Sequence, residues 1–518
     1  MTEAADLILT NAEVHTLTDP DRTAEAVAVR DGEVVRVDSE YEVAFLEDVG
    51  TTVVDLDGAV VLPGFVDAHT HMEQVGKYRL HADLSGAESR DEAIERLVAT
   101  ARDGAVDADP AGDDWVLGFG YDESDWPDDG YLTREELDAV SEERPVAAVR
   151  VDMHTASLNA PALERLGDDP PEGDVETADG RPTGVVVEDA VEAAREDFAA
   201  GPEETRELIA AARDRAHELG VTGVHDMVRD SHAPRAYREL ALDGDLHLRV
   251  RINYWSDHLD AVRETGLRPN HGSEMVRVGG IKSFSDGSVG GRTAKLFEPY
   301  EDGDGTGKWV VDPEELRALA KDVDDADLQA TVHAIGDGAI EETLSALEAT
   351  DDPEAARHRI EHVELATDEQ IERIAEAGIV ASMQPNFHRW ADEDGLYDRR
   401  LGRERRERSN RLGRVVEAGA RLAFGSDVMP FGPLEGVHRA VNAPTEPQRL
   451  SVTDALRAYT SGAAYAGFDE DRLGTVEVGT AADFTVLDAS PWENEGAIRD
   501  IGVLATVVDG EFVYDDRE

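Results

Sequence analysis

The chain contains no cysteine. Disulfides, thiolate nucleophiles and Cys-ligated zinc are therefore excluded, and any metal has to be held by His, carboxylate or a modified side chain. Lysine is nearly absent: only Lys77, Lys282, Lys295, Lys308 and Lys321 occur, and every other basic residue is Arg. No run of about 18 apolar residues appears, so no membrane-spanning helix is expected. The first residues, MTEAADLILTNAEV, lack the basic and apolar regions of a signal peptide, which points to a cytoplasmic protein. The Gly-rich stretch GGIKSFSDGSVGG lacks the GxxxxGK[ST] spacing of a phosphate-binding loop.

Positive charge is scarce as well. Asp and Glu number 114 against 50 Lys and Arg, a formal net charge of −64 over 518 residues. Such a chain repels nucleic acid and anionic membrane, so neither is expected as a partner. The acids are not a block; they are interspersed with apolar residues throughout, as on the dispersed acidic surface of a halophilic protein. Concentrated salt would screen the self-repulsion to within a few ångströms.

What is present is an α/β pattern. Hydrophobic residues make up 41% of the chain, enough for a sizeable core, but 518 residues exceed one ordinary core. Residues 1–62 and 471–518 read as short strands with turns, and one small β-sandwich built from both termini is expected. Residues 63–470 alternate apolar strands with helical segments, which predicts a parallel (β/α)8 barrel of the TIM type. The eight strands are read at Phe65–His71, Val221–Asp226, Leu248–Tyr254, Val276–Phe284, Gln329–His333, Arg359–Val363, Ile379–Gln384 and Arg421–Asp427. In GAIEETLSALEAT, Ile340, Leu344 and Leu347 fall on one face at helical spacing. Residues 80–200 do not fit the count and read as an insertion after the first strand.

Barrel enzymes carry their chemistry at the C-terminal ends of the strands. The first strand ends in His69-Thr70-His71, and side chains two apart on a strand share a face, so both imidazoles can meet one cation. A lone HxH is weak, and a single His is more often a satisfied structural group. Here His333, His362 and Asp427 also stand at predicted strand ends, and four such ends together suit a divalent metal, zinc above all. Lys282 lies within predicted strand four. Burial there would favour the neutral amine, which can take up carbon dioxide to form a carbamate able to bridge two cations. The alternative is an ion pair with Asp286 or Asp427.

These motifs resemble the amidohydrolase superfamily, and within it the amidohydrolase-3, YtcJ-like branch. LPGFVDAHTH, IKSFSDGSVGGRTA, HAIGDGAI, RIEHVE, SMQPNF and FGSDVMP look like that branch's blocks, in order. HTASLNAPAL and LGTVEVGTAADFTVLD resemble two further segments, so the likeness covers nearly the whole chain. The resemblance implies that His69, His71 and Asp427 bind a first metal, carboxylated Lys282 bridges, and His333 and His362 bind a second; members differ in using one metal or two. It implies a hydrolase acting on a non-peptide C–N bond, with Asp427 as general base and small-molecule amides, including N-substituted formamides, as substrates. A barrel lyase or isomerase, or a non-catalytic scaffold, are the rival readings. Asp67 and Glu361 adjoin ligands and are candidates to orient them. Tyr121, Asp152, His154, Asp286 and Trp390 are the candidate substrate contacts. Barrels often pair, which leaves a homodimer open.

Overall fold

The computed structural model describes residues 4–103, 115–123, 126–127, 130–151, 153–166 and 174–517. They form two compact units, one of residues 1–71 with 213–518 and one of residues 72–212. Among the described residues no helix is long and apolar enough to cross a membrane.

The first unit holds eight strands that run parallel in one sheet. They are β1 (Phe65–Thr70), β2 (Val221–Val228), β3 (Arg249–Trp255), β4 (Val276–Phe284), β5 (Ala330–Ala334), β6 (Arg359–His362), β7 (Val380–Met383) and β8 (Arg421–Phe424). Each pairs with the next in chain order. The sheet is nearly closed. Where β8 meets β1, Ser426 N donates to the Asp67 carboxylate at 3.1 and 3.2 Å, and Asp427 N donates to His69 O at 2.8 Å. The architecture is α/β, of the TIM-barrel type. Strands covered on both faces read as continuous apolar runs, and all eight residues of β2 are buried.

Local chemistry sets the helices between strands. Asp312 caps Pro313–Asp324, accepting from Glu314 N at 2.9 Å, with Pro at the first turn, acids beside it and Lys321 in the last turn. Thr367 and Gln370 form a capping box on Asp368–Glu376. On Asp337–Glu348 the predicted face of Ile340, Leu344 and Leu347 is the buried one. Most strand bounds shift by a residue or two. The largest difference is at β8, which stops at Phe424 and not at Asp427. Gly425 and Ser426 turn the chain away from the ladder, and Asp427 has a left-handed φ of 51°.

Two further sheets come from the termini. Glu33–Asp38, Ala26–Arg30, Leu7–Thr10 and Thr52–Asp55 form one, in that order. The other unites both ends of the chain, because Val60–Pro63 pairs antiparallel with Phe484–Leu487. Residues of both sheets, among them Leu9, Val27, Val61, Phe484 and Val507, share one apolar cluster.

The second unit contains the segment expected as an insertion. Its mixed sheet runs Val175–Ala178, Arg181–Val187, Thr155–Leu158, Val146–Arg150, Val116–Tyr121, Ala82–Asp83. The register shifts between Phe119 and Tyr121. This bulge sends the two rings into different apolar clusters, Phe119 with Val149 and Leu158, Tyr121 with Leu97 and Leu137.

Candidate metal centre

The end of β1 and the loop after β8 build the centre. That loop passes close to β1 because residue 425 is glycine: a Cβ there would lie 2.4 Å from His69 N. Asp427 is thereby turned toward the two imidazoles. Its Oδ1 lies 3.6 Å from His69 Nε2 and 3.2 Å from His71 Nε2. The ligand atoms of His69, His71 and Asp427 all fall within 4.8 Å of one another.

The tautomers are fixed by the other ring nitrogens. His69 Nδ1 lies 2.6 Å from Glu361 Oε2, a carboxylate oxygen that can only accept, so His69 Nδ1 carries the proton. His71 Nδ1 lies 3.0 Å from the Met227 carbonyl, and the same argument applies. Both Nε2 lone pairs are left to converge beside Asp427, as an imidazole ligand set requires. Burial pushes Asp427 up, but His69, His71 and Lys282 outweigh it and hold the carboxyl at about 2. Burial pushes His71 down, but the Asp427 carboxylate outweighs it and raises His71; a cation taking the place of that proton meets two imidazole nitrogens and one carboxylate, a donor set that fits a small divalent ion.

The remaining expected ligands gather around this trio. The His362 ring centroid is 5.0 Å from that of His69 and 4.4 Å from that of His333. His362 Nδ1 is buried without a hydrogen-bond partner. Burial, reinforced by neighbouring imidazoles and Lys282, holds both His333 and His362 well below the usual histidine range, so both are neutral. Lys282 is buried, its amine 5.3 Å from the Phe284 ring centroid. Burial pushes it down to about 8 against the opposing pull of Glu361 and Asp427. It forms no ion pair with Asp286 or Asp427, although the sequence left that pairing open.

The candidate substrate contacts fare differently. Trp390 is half-buried, packed against Phe387, whose ring stacks on His362 at 5.8 Å. Asp286 is not at a surface that substrate can reach. It is fully buried and accepts from Lys295 N at 2.7 Å, Ile335 N at 3.0 Å and Gly336 N at 2.9 Å, tying together the loops after β4 and β5. Tyr121 is likewise buried, because the bulge turns it inward onto Ser157 and Trp126. His154 is exposed and pairs with Glu188 at 3.3 Å. Asp152 lies outside the described residues.

Glu361 was expected to orient a ligand and does, but which ligand it serves, and Arg359 beneath it, were not read from the sequence. Glu361 adjoins His362 in sequence but holds His69, from across the barrel. Arg359, fully buried, clamps Glu361 from Nε at 2.9 Å and Nη2 at 3.1 Å. It also donates to Ala68 O at 2.7 Å, Ser382 Oγ at 2.9 Å and His225 Nδ1 at 2.9 Å. Asp67 grips the backbone of His69 and Ser426 instead of an imidazole, and burial pushes it up to about 7. The signal available was the alternation in Arg359-Ile360-Glu361, which sends both charges to one face of β6. Glu361→Gln is expected to lower metal affinity by about 10–100-fold, with a loss of stability as well because it leaves Arg359 buried without its counter-charge. Titration of the metal-free variant with zinc checks this, and unchanged affinity would remove Glu361 from the centre.

The chain is similar to a well-populated set of proteins. The model of the Amidohydrolase family matches residues 52–514. YtcJ of Bacillus subtilis is 33% identical over 96% of this chain and 97% of its own. The N-substituted formamide deformylase of Arthrobacter pascens is 27% identical over 99% of each. A crystal structure of an uncharacterised metal-dependent hydrolase from Pyrococcus furiosus superposes with a TM-score of 0.78 at 30% identity, covering 94% of this chain and 99% of that one.

Proposed function

The chain belongs to the amidohydrolase family, and from that membership and the geometry of the centre we propose that it is a metal-dependent hydrolase cleaving a non-peptide C–N bond of a small-molecule amide. The observation that carries this is the convergence of His69 Nε2, His71 Nε2 and Asp427 Oδ1, with both Nδ1 protons already committed. Those three residues would hold the catalytic cation, zinc by the nature of the donors. Lys282, as its carbamate, with His333 and His362 would hold a second. The cation, when bound, acidifies a water and polarises the substrate carbonyl.

The chain's own groups do the rest. Asp427 is ionised, and its carboxylate accepts the proton of the attacking water and delivers it to the leaving nitrogen. Glu361 keeps His69 in the ligating tautomer. Phe284 and Phe387, packed against His333 and His362, leave that side of the site apolar, and Trp390 extends it toward substrate. By analogy with the formamide deformylase, N-substituted formamides are the first compounds to assay. We also read the two terminal sheets as a β-sandwich, the acidic surface as an adaptation to salt, and the protein as cytoplasmic, with a homodimer as the expected assembly.

The test is metal analysis of protein purified in high salt, with turnover of an amide panel in isotope-labelled water. Roughly one to two metal equivalents and label in the acid product are expected. Chelation should abolish turnover while far-UV circular dichroism stays unchanged, and zinc should restore it. A product without the label would make the protein a lyase or isomerase. Failure to bind metal on titration would leave only a scaffold.

A further inference from the structure

Six rings form one continuous arc at the C-terminal ends of the barrel strands. Trp255 is the last residue of β3 and Phe284 the last of β4. Their centroids lie 5.0 Å apart, and Phe284 lies 4.5 Å from His333. From His333 the arc passes to His362 at 4.4 Å, to Phe387 at 5.8 Å and to Trp390 at 4.8 Å. A guanidinium stands over each terminal ring. Arg229, the residue after β2, has its Cζ 5.0 Å from the Trp255 centroid, and Arg389 has its Cζ 5.5 Å from that of Trp390.

With 114 Asp and Glu against 50 Lys and Arg, counter-charges abound in this chain. Arg229 nevertheless has little use for one. Its side chain is 57% exposed, and its one carboxylate neighbour among the described residues is Asp230, 78% exposed and 3.7 Å from its Nε. So open a pair contributes little. Arg229 donates no hydrogen bond among the described residues. A guanidinium on an aromatic ring engages it through its face, which leaves the in-plane N–H fork free for a carboxylate. Its place in the chain ties it to the metal centre: Met227 O, two residues earlier, holds His71 Nδ1 at 3.0 Å.

We propose that Arg229 selects the substrate: the amide carries a carboxylate, which this guanidinium receives, while its apolar part lies along the arc that starts at Trp255. The inference rests on the hydrolase reading above and narrows its substrates to anionic amides.

The experiment uses the full chain, zinc-loaded, in high salt. Matched amides differ only by the carboxylate: N-formylphenylalanine against N-(2-phenylethyl)formamide, with the N-acetyl and N-benzoyl pairs of the same two amines. The acid should be preferred in kcat/KM by about 10–100-fold, the range for a charge-assisted pair. Arg229→Gln should remove that preference by raising KM for the acids alone. Equal turnover of both members in wild type, or an equal loss of both in Arg229→Gln, would overturn the assignment, as would a preference lost in Arg389→Gln alone. Calorimetric titration with 3-phenylpropanoate reads the same contact without turnover. Binding weaker by about 10-fold or more in Arg229→Gln supports it. No binding to wild type, or equal affinity in the two proteins, overturns it. If the carboxylate binds through Arg229 but no amide is cleaved, the hydrolase reading fails and the anion contact stands.

Discussion

Asp427→Asn should lower kcat by about 10²–10⁴-fold, the range for loss of a positioned general base. The side chain keeps its size, so the loop after β8 has no steric reason to move. Its anchors are elsewhere: Ser426 N on Asp67 and Asp427 N on His69 O. What changes is charge. The amide cannot take the proton of the attacking water, and it removes the one carboxylate that His69 and His71 both face. The variant therefore combines loss of a base with loss of a ligand, and the two separate by measurement. If metal content is preserved at high zinc while kcat stays low, proton transfer is the missing step. If metal is lost and excess zinc restores turnover to within tenfold of wild type, Asp427 is a ligand and the base lies elsewhere. Full activity with full metal content would refute both roles.

The centre was legible in the sequence to the extent that it is local. Period-two alternation put His69 and His71 together, and apolar runs bounded eight strands because a parallel barrel buries both faces of each. Ends of runs were less legible. Asp427 looked like the last residue of a strand, yet it acts from a turn whose cause, the close approach of Gly425 to His69, joins positions far apart in the chain. Tyr121 looked like a pocket residue until a one-residue bulge sent it into a core. Asp286 was a candidate substrate contact, but it is fully buried and its carboxylate is taken up by three backbone N–H groups from two loops. Glu361 is the plainest case. Adjacency tied it to His362, whereas its partner His69 is 292 residues away, a separation no local pattern encodes.

Arg359→Met carries the largest expected cost in stability, about 3–5 kcal/mol, because it leaves the Glu361 carboxylate buried without its counter-charge. Among the described residues Arg359 is the largest fully buried side chain, and its donors reach Glu361, Ala68, Ser382 and His225. Lysine cannot stand in, since a single ammonium cannot reproduce that planar fork. The consequence also reaches the metal. Without the guanidinium, Glu361 is no longer fixed against His69 Nδ1, so zinc affinity should fall with stability. The double variant Arg359→Met with Glu361→Gln separates the two effects. Removing both charges should recover part of the stability, because no uncompensated carboxylate remains, while zinc affinity stays low. Denaturant unfolding of the metal-free proteins, beside zinc titration, reads each quantity alone. If the double variant is no more stable than Arg359→Met, the guanidinium acts through Ala68, Ser382 and His225, and Glu361 is not what it neutralises.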